Sequence, residues 1–138
     1  MEEVAHSKTD GHTPPQDIEA EKSLLGAIML DENVLPEIIT VISPNDFYDK
    51  NHQVIFEAMR NLYDSHRPID LLTLTKEKKN KKKLKSIGGA AYLTELSNFV
   101  LATSHAKAYA DIVRKAATQR KLIKAGTEIV NKAYEDGA

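Results

Sequence analysis

The sequence predicts an all-α fold, in which a globular head of about five short helices is followed by one long helix. Apolar residues recur at helical spacing in successive segments, and no two segments show the alternating pattern of paired strands. From Ser104 to Glu135 the chain contains no proline and one glycine, Gly126. At about 1.5 Å per residue, a helix of about 48 Å fits this last segment.

Composition restricts the class of protein further. The chain has 138 residues, of which 41% are apolar and 28% charged, as expected of one globular domain. It has no cysteine, which excludes disulfides, thiolate metal sites and a cysteine nucleophile, and favours a reducing, cytoplasmic location. No apolar run approaches the ~20 residues of a membrane span. We therefore expect a cytoplasmic protein without membrane contact.

The first helix follows a polar segment. Residues 1–15 lack apolar periodicity and contain Gly11 and two prolines, so we expect a disordered N-terminal arm. Asp17 is a suitable N-cap, and Glu19 and Glu21 lie in the first turn, near the positive end of the helix dipole. We divide the chain into this arm, a helical head at 16–102 and the long helix at 103–138.

Three further helices are predicted before the lysine-rich segment. A short apolar stripe at 34–42 is stopped by Ser43-Pro44. The sequence PNDFYDKNH then predicts a turn anchored by Phe47 and Tyr48, with Asp49 or Asn51 capping a helix that runs through Tyr63. Asp70 is a good cap for a fourth helix, although the β-branched and apolar residues at 69–75 are also compatible with a strand. The absence of a partner strand favours the helix.

The lysine-rich segment and the glycine pair come next. Residues 76–85 hold seven lysines and one glutamate, which we interpret as a solvated helix end and loop. Gly88 and Gly89 interrupt the chain before a fifth helix that ends near Val100. Thr103 or Ser104 is expected to cap the long helix.

The long helix has more apolar positions than one supporting face requires. One stripe holds Tyr109, Val113, Ala116, Ile123 and Val130. A second set lies partly outside it and comprises Ile112, Leu122, Ile129 and Ala133. A helix that projects from its own domain with apolar residues on two sides usually packs against another chain or a further segment.

The sequence offers little reactive chemistry. It lacks a GxxxxGK[ST] loop, and no two histidines have the i, i+4 spacing of metal ligands on one helical face. For His52, near a helix start, a structural or surface role is the expectation. Asp46 and Asp49 are better explained as turn caps than as an acid–base pair. We expect no catalytic, cofactor-binding or metal-binding residues.

Charge leaves one alternative open. Residues 1–75 carry 14 acidic and 5 basic residues, whereas residues 76–138 carry 6 acidic and 14 basic ones. A basic half allows contact with nucleic acid through Lys79, Lys81, Lys82 and Lys83, with help from basic residues of the long helix. No aromatic residue lies within the lysine run, so base stacking is not supported. A helical nucleic-acid-binding module is the alternative.

Five segments, taken in order and spacing, resemble a known family. They are PPQDIEAEKSLLGAIMLDEN at 14–33, PNDFYDKNHQVIFEAM at 44–59, RPIDLLTLT at 67–75, GGAAYLTELSN at 88–98 and AYADIVRKAATQRKLIKAGTEI at 108–129. They are similar to the N-terminal domain of the bacterial replicative hexameric DNA helicases, the DnaB family. The resemblance covers nearly everything after Thr13.

This resemblance implies an architecture and a set of partners. It implies a helical head followed by a helical hairpin, of which the long helix is the first arm and the second arm lies beyond residue 138. It also implies pairing of copies within a hexameric collar, docking of the primase C-terminal domain, a possible helicase loader, and DNA contact through the complete ring. ATP and Mg²⁺ would belong to a motor domain that this chain lacks, so the fragment itself is expected to be noncatalytic.

The resemblance also points to particular residues. Partner contact or dimer packing is implied for Glu19, Tyr92, Ile123 and Ile129. For Tyr92 the alternative is an ordinary half-buried core tyrosine, and for the two isoleucines it is packing between paired arms. Asp46, Phe47 and Tyr48 are implied to form a structural turn.

Overall fold

The computed structural model describes residues 13–77, 80–100 and 102–135, and within these ranges every regular element is helical. The predicted all-α fold is confirmed. The helices are α1 (Ile18–Leu30), α2 (Leu35–Ile39), α3 (Lys50–Asp64), α4 (Leu71–Thr75), α5 (Lys81–Ser86), α6 (Gly89–Phe99) and α7 (Ala106–Tyr134). Three 3₁₀ turns connect them, at Glu32–Val34, Pro44–Asp46 and Thr103–His105.

Helix α1 lies at the centre of the head, packed against α6 and the first half of α7. It begins as predicted, because the Asp17 carboxylate accepts a hydrogen bond of 2.9 Å from the Ala20 amide. Its interior positions Leu24, Leu25 and Ile28 are fully buried. Together with Phe56 and its neighbours on α3 they form one continuous hydrophobic core.

Local caps explain where α3 and α4 begin. The Asp49 carboxylate accepts from the Asn51 amide at 2.8 Å, so Asp49 is the cap of α3. At α4, Asp70 and Thr73 exchange two hydrogen bonds of 2.9 Å, which form a capping box. Residues 71–75 are therefore helical, and the strand alternative for this segment is wrong.

The lysine-rich segment is not only a solvated helix end and loop, since Lys81–Ser86 forms a helix of its own. Leu84 is buried and anchors this helix in the core. The preceding Asn80 is also buried, with its side chain hydrogen-bonded to Glu57 and Asn61. The described head thus contains six helices, and a buried leucine and a buried asparagine attach this segment of otherwise exposed lysines to it.

Helix α7 has 29 residues and is about 44 Å long. The prediction that Thr103 or Ser104 caps it is wrong, since neither side chain makes a capping hydrogen bond. A 3₁₀ turn instead leads directly into the helix, and its carbonyl groups accept from the first helical amides, as Thr103 does from Ala106. No side-chain cap is therefore needed.

The two halves of α7 have different surroundings. Up to Ala117 the helix contributes buried residues to the head, at Ala106, Ala110, Val113, Ala116 and Ala117. From residue 121 to 135 every residue is exposed. The first half thus belongs to the packed head, and we call the segment 121–134 the distal arm. Of the expected N-terminal arm, residues 1–12 lie outside the described residues.

Candidate protein-docking surface

The distal arm carries large apolar side chains in solvent. The exposed fractions are 67% for Leu122, 70% for Ile129 and 84% for Tyr134, with Ile123 and Val130 about half exposed. Leaving such side chains in water forgoes about 25 cal/mol for each Å² that could be buried. A row of them on one helix, with no part of the described head beneath it, is typical of a protein-docking surface.

These side chains form two faces of the arm. At about 100° per residue, Ile123, Val130 and Tyr134 lie on one side, and Leu122 and Ile129 lie about 100° around the helix from them. The seam that one partner helix buries in coiled-coil pairing is narrower than this separation. The arm therefore presents more apolar surface than one neighbouring helix would bury, in agreement with the two apolar sets of the sequence.

The face of the distal arm that holds Ile123 continues onto the head. Ile112, two turns and more before the distal arm, is also exposed, and it borders a shallow cavity of about 320 Å³. The other side of this cavity is formed by the chain at Pro15 to Asp17, just before α1. Glu19 is exposed in the first turn of α1. A partner on the Ile123 face could thus extend to the start of α1.

Tyr92 occupies a different environment from the arm residues. It is partly buried on α6, and its hydroxyl lies 2.7 Å from Nε2 of the fully buried His52. The two rings are stacked, with centroids 6.0 Å apart. Tyr92 is therefore held by the head on one side while part of its ring remains at the surface.

His52 connects Tyr92 to a buried carboxylate. Nδ1 of His52 lies 2.8 Å from Oε1 of Glu21, which is 1% exposed. The same carboxylate accepts from the Tyr48 amide at 2.7 Å and from the Asp49 amide at 3.3 Å. When Nδ1 carries the proton, His52 donates to Glu21 and accepts from Tyr92. This network ties α6, α1 and the start of α3 together.

Burial raises the pKa of Tyr92 from 10.0 to about 12, with smaller contributions from the negative charges of Asp49, Glu95 and Glu21. Between these pH values the folded chain keeps a proton that the unfolded chain releases. Tyr92 therefore contributes to the free energy of unfolding, and this contribution is fully present below pH 10 and is lost as the pH rises through about 12. We expect Tyr92→Phe to lose less stability than the parent chain across this interval, measured by thermal unfolding at stepped pH. Equal losses in both proteins would contradict the assignment.

The segment Asp46, Phe47 and Tyr48 connects the head to α7. Phe47 is buried, and the buried Asp46 carboxylate accepts from the Ser43 amide at 2.9 Å. Tyr48 is 37% exposed rather than covered by a loop, and its ring faces the Arg120 guanidinium at 5.5 Å. These three residues form a turn against which the middle of α7 packs.

Sequence reasoning misses three residues of this arrangement. It interprets Glu21 only through its charge in the first turn of α1, and His52 only as a structural or surface residue. It counts Arg120 among the basic residues of the long helix, but Arg120 donates to the Pro15 and Asp46 carbonyls at 2.8 Å each. A polar residue on the apolar side of a helix, as Glu21 is beside Leu24 and Leu25, is the signal that could have found the buried network.

Three of the four lysines proposed for nucleic-acid contact lie on α5. Lys81, Lys82 and Lys83 are exposed on α5, and Lys79 lies outside the described residues. Two of the basic α7 residues are already engaged by the head, since Arg114 donates to the Val41 carbonyl at 2.6 Å and Arg120 to two others. Contact with nucleic acid through α5 stays a prediction.

The described ranges contain neither a metal-binding cluster nor a membrane-spanning helix. No group of three or more His, Asp or Glu side chains is arranged to hold a metal ion among residues 13–77, 80–100 and 102–135. Over the same residues, no helix is long and apolar enough to cross a membrane.

The fold and this surface define the chain as an all-helical domain with an exposed apolar arm. Residues 13–115 match the family described as the DnaB-like helicase N terminal domain. The chain belongs to this family.

Relatives and solved structures agree with the family match. The chain is 44% identical, over 121 residues, to the replicative DNA helicase DnaB of Buchnera aphidicola subsp. Baizongia pistaciae (strain Bp), covering 88% of this chain and 26% of that relative. It is similar to the N-terminal domain of Mycobacterium tuberculosis DnaB helicase, with a TM-score of 0.84 at 37% identity, covering 88% of this chain and 87% of the other. The chain thus spans about a quarter of the curated relative's length.

A further similar structure is that of a DnaB-like replicative helicase, described together with its interactions with primase. The TM-score is 0.74 at 26% identity, and the match covers 84% of this chain and 27% of that one. The all-helical fold with its long C-terminal helix is therefore the fold of the DnaB N-terminal domain.

Proposed function

We propose that this chain is a noncatalytic assembly and docking domain of a replicative DNA helicase, acting in the cytoplasm on the replicating chromosome. In this proposal the distal arm pairs with the second helix of its hairpin and with another copy, as part of a hexameric collar. The paired surface then docks the C-terminal domain of primase. The observation that carries the proposal is the row of exposed apolar residues on two faces of the arm.

The two faces support two successive contacts. A helix packed along one face would leave the other face, about 100° away, still apolar and in solvent. Helix pairing within the collar would bury one face of the arm. Primase would bury the other face, together with the surface near Glu19 and Tyr92. A solved relative that is described with its interactions with primase supports this choice of partner.

The proposal assigns regulation, rather than chemistry, to this domain. Primase binding would favour one packing of the paired arms over another, and this preference would be passed to the motor domains of the ring. ATP and Mg²⁺ are assigned to those motor domains, since this sequence has no phosphate-binding loop. A helicase loader is a further candidate partner of the assembled ring.

The test uses one substitution on each face of the arm. We expect Ile123→Ala and Ile129→Ala each to weaken binding of the primase C-terminal domain by about tenfold, the cost of truncating one central apolar contact. Lys124→Ala, an exposed residue between them, is the matched control and should bind as the parent does. Calorimetric titration measures the affinity, and unchanged thermal unfolding shows that each variant is folded.

Sedimentation of the same variants separates the two contacts. A substitution that lowers self-association as well as primase binding acts through pairing of the arms. One that lowers primase binding alone acts at the primase contact. If both isoleucine variants bind primase as tightly as the control does, the arm is not the docking surface.

A further inference from the structure

The distal arm leaves the head at one place, and Arg120 lies there. Ala117 is the last α7 residue whose side chain is buried, and every described residue after Arg120 is exposed. Just beyond this point, Lys121 forms an ion pair with Asp46 of the head, at 3.6 Å. Arg120 and Lys121 thus attach α7 to the rest of the domain at the base of the distal arm.

Arg120 joins α7 to two separate places, the chain just before α1 and the turn formed by Asp46, Phe47 and Tyr48. One guanidinium nitrogen donates to the Pro15 carbonyl and another to the Asp46 carbonyl, each at 2.8 Å. The guanidinium also lies over the Tyr48 ring, at 5.5 Å from its centroid. A planar, five-donor group is suited to hold several fixed partners at once, which a lysine ammonium is not.

The Tyr48 segment beneath Arg120 is itself held from the interior. Glu21 accepts from the Tyr48 amide, and it binds His52, whose other nitrogen binds the Tyr92 hydroxyl. Hydrogen bonds and one ring contact thus lead from α6 to the base of the distal arm. Every hydrogen bond along this path has a donor–acceptor distance of 3.3 Å or less, and the last step is the contact between the Tyr48 ring and the Arg120 guanidinium.

We propose that Arg120 is the positioning residue that sets the direction of the distal arm, and that the Tyr92–His52–Glu21 network keeps its Tyr48 platform in place. The link to a binding partner rests on the proposed function, in which a partner touches Tyr92. A partner that captures the Tyr92 hydroxyl would release His52 and so loosen the platform. Primase binding on α6 and the packing of the arms would then be linked through these residues.

The test is a distance measurement between head and arm. Because the chain has no native cysteine, Thr94→Cys on α6 and Lys132→Cys on the arm provide two unique spin-label positions, both exposed. Pulsed electron resonance on samples diluted with unlabelled protein reports the intramolecular distance. Residue 132 lies about 18 Å along the helix from residue 120, so a change of direction of about 15° moves it by about 5 Å.

We expect Arg120→Ala to shift or broaden the distance distribution by several ångströms, and Arg120→Lys to do so nearly as much because it cannot span both carbonyls. Lys124→Ala, on the same helix, should leave the distribution unchanged. Tyr92→Phe should broaden it, whereas Tyr63→Phe, which alters an exposed tyrosine of α3, should not. A residue that only stabilises the fold would lower the melting temperature without moving the arm.

Two outcomes would overturn the proposal. If the distance distribution of Arg120→Ala has the same mean and the same width as that of the parent, Arg120 does not set the arm direction. If Arg120→Ala acts but Tyr92→Phe does not, the link to α6 is wrong. Since no primase is present in these samples, the result is independent of whether primase docks on this domain.

Discussion

Replacing Gly26 with alanine is expected to destabilise the domain strongly, by about 3 kcal/mol, the upper end of the usual cost of overpacking a core. Gly26 lies where α1 crosses α6, and a Cβ built on it would be 2.3 Å from the Leu96 carbonyl oxygen and 3.1 Å from the Leu96 carbonyl carbon. These atoms belong to backbone, which cannot rotate out of the way as the end of a side chain does. The two helices would have to separate, and the surrounding core would lose its packing.

The same substitution at Gly126 is the matched control and should act in the opposite direction. Gly126 lies inside the exposed part of α7, and a Cβ there meets nothing within 4 Å. Alanine is favoured over glycine in a helix interior by about 0.8–1 kcal/mol. Urea unfolding of both variants measures the difference. Similar effects at the two positions would show that α1 and α6 are not in the close contact described.

Replacing Glu21 with alanine is expected to cost about 3–4 kcal/mol. The substitution leaves the Tyr48 and Asp49 amides and the buried His52 without their acceptor, at a position that is only 1% exposed. Removing one partner from a buried hydrogen-bonded charge is among the most damaging single changes. Since the domain's total stability is on the order of 5–15 kcal/mol, a large fraction of it would be lost.

Glu19→Ala provides the comparison for this prediction. Glu19 lies in the same first turn of α1, but its side chain is exposed to solvent. Its loss should change the urea midpoint little. Glu21→Gln tests the chemistry more narrowly, because the amide keeps the size of the side chain and loses the charge and one acceptor. A Glu21→Ala variant as stable as Glu19→Ala would show that the buried network contributes little to stability.

Local interactions explain which parts of the fold are predictable. Asp17, Asp49 and Asp70 cap helices through amides two or three residues away, so their spacing in the sequence is sufficient to place the helix starts. The long helix is predictable because helix breakers are rare across it. Its surplus of apolar residues likewise indicates a docking surface from the order of the residues alone.

The errors have physical reasons as well. Repulsion among the lysines at 81–86 favours a loop, but burial of Leu84 outweighs that repulsion and the segment is helical. The expected cap at Thr103 or Ser104 is absent because a 3₁₀ turn supplies the first amides of α7 with backbone acceptors. Both errors concern segments whose conformation depends on the neighbours they pack against.

The sequence by itself determined the helical fold, most helix boundaries and the apolar arm, since these follow from interactions between residues close together in the chain. The tertiary structure alone decided which polar groups meet. Glu21 and His52 are 31 residues apart, His52 and Tyr92 are 40 apart, and Arg120 and Pro15 are 105 apart. No local spacing encodes such pairs. They depend on how α1, α3, α6 and α7 pack, and packing is the sum of many weak, nondirectional contacts.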